Sequence, residues 1–295
     1  MSRPLRGAAA RDRLPTQSEW INSGARSDRS ARMALLEHRT GTTRAMLLLA
    51  PKKPLREEQH EQLCADLERY QRGEPLAYII GTQAFHDIEL AADARALAPR
   101  PETERLVEAT LAALRHRAQS AVTRTGPLRC ADLGTGSGAI ALALLAAWDQ
   151  DTPLRVTATE RCPQACALAQ ENIDRASASI ELLTGDWYAP LAGRQFDVLV
   201  SNPPYLSATD SHLPALTAEP RSALVAGEDG LADLHALIDA APSHLLPAGV
   251  LLLEHGAEQG AAVRARYEAA GFEAVHTARD YAGHDRITSG TLCLR

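Results

Sequence analysis

Two hydrophobic periods follow one another along the chain, and the change between them divides it. From about Asp28 to Arg72 apolar residues recur at helical spacing in SARMALLEHRTG (30–41), TRAMLLLAP (43–51) and LREEQHEQLCADLERYQRG (55–73), each closed by Gly or Pro. These segments predict a small helical bundle, which alone would bury little surface. Residues 1–27, rich in Arg, Ser, Gly and Pro without a period, predict a loose extension. AFHDIEL (84–90) alternates and predicts a hairpin. PRPETERLVEATLAAL (99–114) predicts a helix, with Pro101 in its first turn and Glu102 and Glu104 at its positive end.

Beyond Leu128 short apolar runs alternate with helical ones. LRCADLG, LRVTATE, SIELLTGD, FDVLVSN and GVLLLEHG read as strands, with GAIALALLAAW, CPQACALAQENIDRA, LADLHALIDAAPSHLL and AEQGAAVRARYEAAGF as helices. Repeated strand–helix units predict a mostly parallel sheet covered on both faces. EAVHTARD and DRITSGTLCL complete seven strands with only a short connection between them, so one should run antiparallel. The expected division is a loose extension (1–27), a helical domain (28–82), a hairpin linker (83–100) and an α/β domain (101–295).

Composition narrows the function classes. The chain has 295 residues, 45% hydrophobic, so a large core is available. A net charge of -6 argues against a protein that wraps DNA, so no DNA partner is expected. Five scattered cysteines, only two of them four apart, lack a second ligand pair, so no metal is expected. Reduced thiols, no apolar run of membrane-spanning length and no secretory h-region lead to the expectation of a cytoplasmic protein without a membrane partner. A monomer is expected.

The glycines of DLGTGSGAIAL carry the first chemistry. Gly134, Gly136 and Gly138, with Thr135 and Ser137 between them, follow the first α/β strand and open its helix. In an open sheet that place lies beyond a strand's carboxyl end, where ligands bind. Glycine runs also serve helix-to-strand packing, so the downstream groups matter. Glu160 ends the second strand, where a carboxylate can accept both hydroxyls of a ribose. Asp186 and Trp187 end the third, placed for the edge and face of an adenine. Three consecutive strand ends thus outline a nucleoside pocket. The alternating glycines behind Asp132 resemble class I S-adenosylmethionine-dependent methyltransferases, which implies a Rossmann-like sheet and S-adenosylmethionine as cofactor.

The fourth strand ends in Asn202-Pro203-Pro204-Tyr205. Two prolines cannot continue a ladder, so pairing stops there. An amide nitrogen is a poor nucleophile because its lone pair is delocalised. The Asn202 side-chain carbonyl and the Pro203 backbone carbonyl can accept its two N–H bonds and aim it, while Tyr205 packs on the flat group. The motif resembles that of methyltransferases acting on planar nitrogen, in adenine or glutamine, and its four residues do not separate these substrates. The flanks RGEPLAYIIG, PRPETERLVE, EPRSALVAGEDGL and RDYAGHDRITSG resemble the glutamine N5-methyltransferases of the Gly-Gly-Gln loop in class I peptide chain release factors. That resemblance, from about Asp28 onward, implies release factors as partners. It assigns cofactor contacts to the Gly134–Gly138 loop, Glu160, Trp187 and Asn202. Substrate contacts fall on Asn202, Pro203, Pro204 and Tyr205, with Arg100 and Glu102 in the site wall. Ala98 and His86 depart from that family's larger aliphatic and aromatic residues.

Overall fold

The computed structural model describes residues 13–120 and 126–293. By its contacts the chain divides into one unit ending at Ile80 and another beginning at Gly81.

The first unit holds α1 (Gln17–Asn22), α2 (Arg29–Thr40), α3 (Arg44–Leu49), α4 (Glu57–Gln71) and α5 (Leu76–Ile80). The expectation of a loose stretch through residue 27 is corrected over its described part. Thr16 caps α1 by accepting the Glu19 N–H, and the Glu19 carboxylate reaches back to the Thr16 N–H at 2.7 Å, a capping box. Trp20 and Ile21 then enter the bundle core with Leu35, Leu36, Leu63 and Ile79. The helix is too short for its period to register in the sequence, and burial of the indole fixes it instead. Residues 1–12 of that expected extension lie outside the described residues. Gly41, at φ 67, ends α2 with its N–H on the Glu37 carbonyl. Asp66, buried on α4, accepts a two-bond fork from Arg39 at 2.6 and 2.9 Å.

The second unit opens with the hairpin β1 (Thr82–Phe85) and β2 (Ile88–Ala91), paired antiparallel. His86 makes the tight turn at φ 51. The hairpin is more than a linker. Phe85 and Leu90, each 1% exposed, join the main sheet core with Leu106, Val107 and Ile140.

The remaining elements are α6 (Pro101–Ser120), β3 (Leu128–Leu133), α7 (Ala139–Ala146), β4 (Leu154–Glu160), α8 (Pro163–Arg175), β5 (Ile180–Thr184), β6 (Phe196–Ser201), α9 (Ala232–His244), β7 (Leu245–Glu254), α10 (Gly260–Ala269), β8 (Phe272–Arg279) and β9 (Asp285–Leu292). Seven strands form one sheet in the order β5-β4-β3-β6-β7-β9-β8. All neighbouring pairs are parallel except β7–β9 and β9–β8, so β9 is the reversed strand the short last connection predicts. β6 is buried at every position, as a central parallel strand carrying Phe196, Val198, Leu199 and Val200 requires. Its Asp197 is satisfied by the Arg129 N–H at 2.9 Å and by Arg117 at 3.0 Å.

One boundary differs from the sequence reading. β7 begins at Leu245, directly after α9, although Pro247 argues against a strand there. Ala248 at φ 57 and a shifted register against β6 between Phe196 and Val198 absorb the proline as a bulge.

The strand order turns outward in opposite directions from β3 and β6. The crevice beyond the carboxyl ends of these two adjacent strands is therefore the switch point at which α/β sheets bind ligands. Ser201 Oγ donates to the Leu133 carbonyl at 2.6 Å and ties the two strand ends together.

Candidate active site

β3 delivers the glycine loop to this crevice. Gly134, Gly136 and Gly138 all stand in the left-handed region, at φ 69, 59 and 84. At Gly134 the requirement is also steric, because a Cβ would lie 2.6 Å from Trp187 Cζ3. At Gly136 a Cβ would meet nothing nearer than Ala96 at 4.0 Å, so the loop keeps this side of its backbone open. Under the loop, Asp132 is fully buried and accepts the Thr135 hydroxyl at 2.5 Å and the Ala141 N–H at 3.2 Å. Its other oxygen has no partner among the described residues, and burial pushes its pKa up to about 7.

The loop is clamped by a residue that the sequence reading missed. Asn172, buried on α8, donates to the Ser137 carbonyl at 2.9 Å. The same amide accepts the Ala91 N–H at 2.7 Å and donates to the Ala91 carbonyl at 3.2 Å, joining the loop to the hairpin. An Asn inside an amphipathic helix gives no sequence signal of this kind, since its partners lie 35 and 81 residues away.

β4 ends at Glu160, whose two oxygens accept the Gly136 N–H at 3.0 Å and the Cys162 N–H at 2.8 Å. Each carboxylate oxygen retains a lone pair, so two hydroxyls can still be bound. Beyond β5, Asp186 is 3.7 Å from Arg161, and Trp187, at φ 44, packs its ring over Gly134.

These groups line a cleft with about 960 Å³ of free space, its open mouth included. Arg100, Thr135, Ser137, Asn202 and Pro204 share the lining with Gly134, Gly136, Glu160, Asp186 and Trp187. Four of the expected residues stand outside it: Gly138, Glu102, Pro203 and Tyr205. At Gly138 a Cβ would instead face Leu142 at 3.5 Å and Ala169 at 3.7 Å. Pro203 is buried behind the lining, and Tyr205 lies within electrostatic reach of Arg100, Glu102, Glu254 and Arg286, with burial raising its phenol to about 12. The Tyr205 carbonyl accepts Gln259 Nε2 at 3.0 Å, and Gly230 passes so close that a Cβ would lie 2.4 Å from it, which fixes the turn.

Asn202 stands at the end of β6, beside the glycine loop. Its Nδ2 donates to Thr103 Oγ1 at 3.0 Å, whereas its Oδ1 accepts nothing among the described residues. Arg100 pairs with the buried Glu219, which also accepts the Ala98 N–H at 3.3 Å, so the segments around 98–100 and 219–223 form one wall. No role for Glu219 is legible in the sequence, because its partner lies 119 residues away.

The cleft suits a nucleoside bearing a small polar tail. It offers an open glycine backbone, a carboxylate with free lone pairs, an indole face and an apolar floor. S-adenosylmethionine therefore fits the donor set of Glu160, Asp186, Trp187 and the Gly134–Gly138 loop.

A seven-stranded sheet with its next-to-last neighbour reversed, and a glycine loop and an NPPY turn side by side at its switch point, is the architecture of a class I methyltransferase. The hMettl16 catalytic domain, solved in complex with the MAT2A 3'UTR hairpin 6, shares this fold at a TM-score of 0.53, with 14% identity over 81% of this chain and 83% of that one. A family model for the Methyltransferase small domain matches residues 119–281, and one for the PrmC N-terminal domain matches residues 22–81. The release factor glutamine methyltransferase of Salmonella typhimurium is 44% identical over 92% of this chain and 96% of its own. Its counterpart in Pseudomonas aeruginosa is 45% identical over 87% of this chain and 90% of its own. The chain belongs to the release factor glutamine methyltransferase family.

Proposed function

We propose that this enzyme transfers a methyl group from S-adenosylmethionine to the side-chain amide nitrogen (N5) of the glutamine in the Gly-Gly-Gln loop of class I peptide chain release factors. The observation that carries the reading is the Asn202 amide in the cleft wall, tied back through Nδ2 while its Oδ1 accepts nothing among the described residues. S-adenosylmethionine supplies, when bound, an electrophilic methyl on a sulfonium. Glu160 accepts the ribose hydroxyls, Trp187 and Asp186 take the adenine, and the Gly134–Gly138 backbone lets the methionine part approach. Asn202 Oδ1 and the Pro203 carbonyl accept the two N–H bonds of the substrate amide, and Tyr205 walls its flat face. As the nitrogen bonds to carbon those hydrogens grow more acidic, so both acceptors bind more strongly in the transition state than in the ground state. The new N–C bond takes the nitrogen pair, the S–C pair stays on sulfur, and the nitrogen gives its extra proton to water. Arg100 and Glu102 shape the entrance. The enzyme works as a cytoplasmic monomer, and among the described residues no helix is long and apolar enough to cross a membrane.

Incubation with labelled S-adenosylmethionine and a release factor, followed by mass spectrometry, tests the reading. One methyl on the Gly-Gly-Gln glutamine is expected, and Asn202→Ala should abolish turnover while retaining most cofactor affinity. Equal labelling of a release factor whose glutamine is replaced by alanine would overturn the assignment.

A further inference from the structure

An asparagine amide has two ends of opposite hydrogen-bonding sense, and the proposed reaction needs the oxygen of Asn202, not its nitrogen, toward the substrate. Nothing in the NPPY turn makes that choice. Two residues on other elements do. Thr103, in the first turn of α6, accepts from Asn202 Nδ2 at 3.0 Å and donates from the same oxygen to Glu254 Oε2 at 2.8 Å. Glu254 is the last residue of β7, the strand beside the one that delivers Asn202, and only 1% of it is exposed. A carboxylate only accepts, so it draws the Thr103 O–H toward itself and leaves the hydroxyl lone pairs for the Asn202 nitrogen. The same amide also favours the ionised form of Glu254.

We propose that Thr103 and Glu254 are positioning residues that orient the Asn202 amide, holding its nitrogen back so that its oxygen meets the substrate nitrogen. This rests on the functional reading above. It adds that the orientation depends on the charge of Glu254. A neutral Glu254 donates to Thr103, the Thr103 hydroxyl then becomes free to donate to Asn202 Oδ1, and the amide turns its N–H groups toward the cleft. Burial pushes the Glu254 carboxyl up to about 7, against the opposing pull of Thr103, Arg286 on β9 and Asn202, and Glu102 on α6 raises it further. The other facing group is Tyr205, and the adjoining His255 is occupied by Thr288 and the Gly256 carbonyl, with burial lowering its pKa.

The test compares the full-length protein with Thr103→Val, Thr103→Ser and Glu254→Gln. Two readouts are followed across neutral pH: release-factor methylation, and the ¹⁵N-resolved side-chain signals of Asn202, assigned by their loss in Asn202→Asp. Thr103→Val should lower kcat about 10–100-fold, with KM and the cofactor Kd within about threefold, since an acceptor is misaligned and no binding group is lost. Thr103→Ser, which keeps the hydroxyl, should restore kcat. Wild-type kcat should fall on the acid side of neutrality, and the Asn202 signals should move over the same range, with neither change in Glu254→Gln. Equal losses in Thr103→Val and Thr103→Ser, full kcat in Thr103→Val, or Asn202 signals that do not move with pH would each overturn the proposal. An inactive wild type would instead count against the functional reading, and the Asn202 titration would then decide the relay alone.

Discussion

Replacing Gly134 by alanine separates the two reasons for a glycine at the head of the cofactor loop. At φ 69 any L-residue carries the left-handed strain, about 1–2 kcal/mol. The added Cβ also lands 2.6 Å from Trp187 Cζ3 and 3.2 Å from Cη2. The indole is poorly placed to retreat, because it packs against the core that includes Leu133 and Tyr188. Overpacking of this kind adds about 1–3 kcal/mol, so the total is about 2–5 kcal/mol. Gly136→Ala shares the strain at φ 59 but meets nothing nearer than 4.0 Å, so its loss should stay near 1–2 kcal/mol, about 2–8 °C in Tm. Thermal unfolding followed by circular dichroism reads both variants. The decisive measurement is a double-mutant cycle with Trp187→Ala, in which the excess loss of Gly134→Ala should vanish while the strain remains. An equal loss from Gly134→Ala with and without the indole would refute the contact.

Asp132, raised to about 7 by burial, binds a proton more tightly folded than unfolded, so its stabilising contribution is complete below the ordinary carboxylate range and is lost as pH rises through about 7. Between pH 5 and 8 the wild type should therefore lose on the order of 2 kcal/mol relative to Asp132→Asn, and parallel Tm–pH curves for the two would contradict this. Asn172→Ala leaves the buried Ala91 N–H and the Ser137 carbonyl without their partner. It should cost about 1–3 kcal/mol and weaken S-adenosylmethionine binding measured by calorimetry, whereas unchanged affinity would show that the clamp does not hold the loop.

The sequence by itself determined the sheet and the outline of the site. Mostly apolar, β-branched runs such as FDVLVS between helical segments point to central parallel strands, and the short link before DRITSGTLCL forces one reversal. The placement of the glycines, Glu160, Trp187 and Asn202 at strand ends beside one cleft was legible because backbone constraint and chemistry are local properties, each visible within a few residues. Helix α1 was not legible, because six residues carry no period and only the burial of Trp20 fixes them. Nor were Thr103, Glu254, Asn172 and Glu219, whose roles depend on partners 35 to 151 residues distant. Which side chains act on the loop, and which end of the Asn202 amide faces the cleft, is decided by hydrogen bonds between separate elements. Those partners come within reach only once the sheet has brought β3, β6 and β7 together.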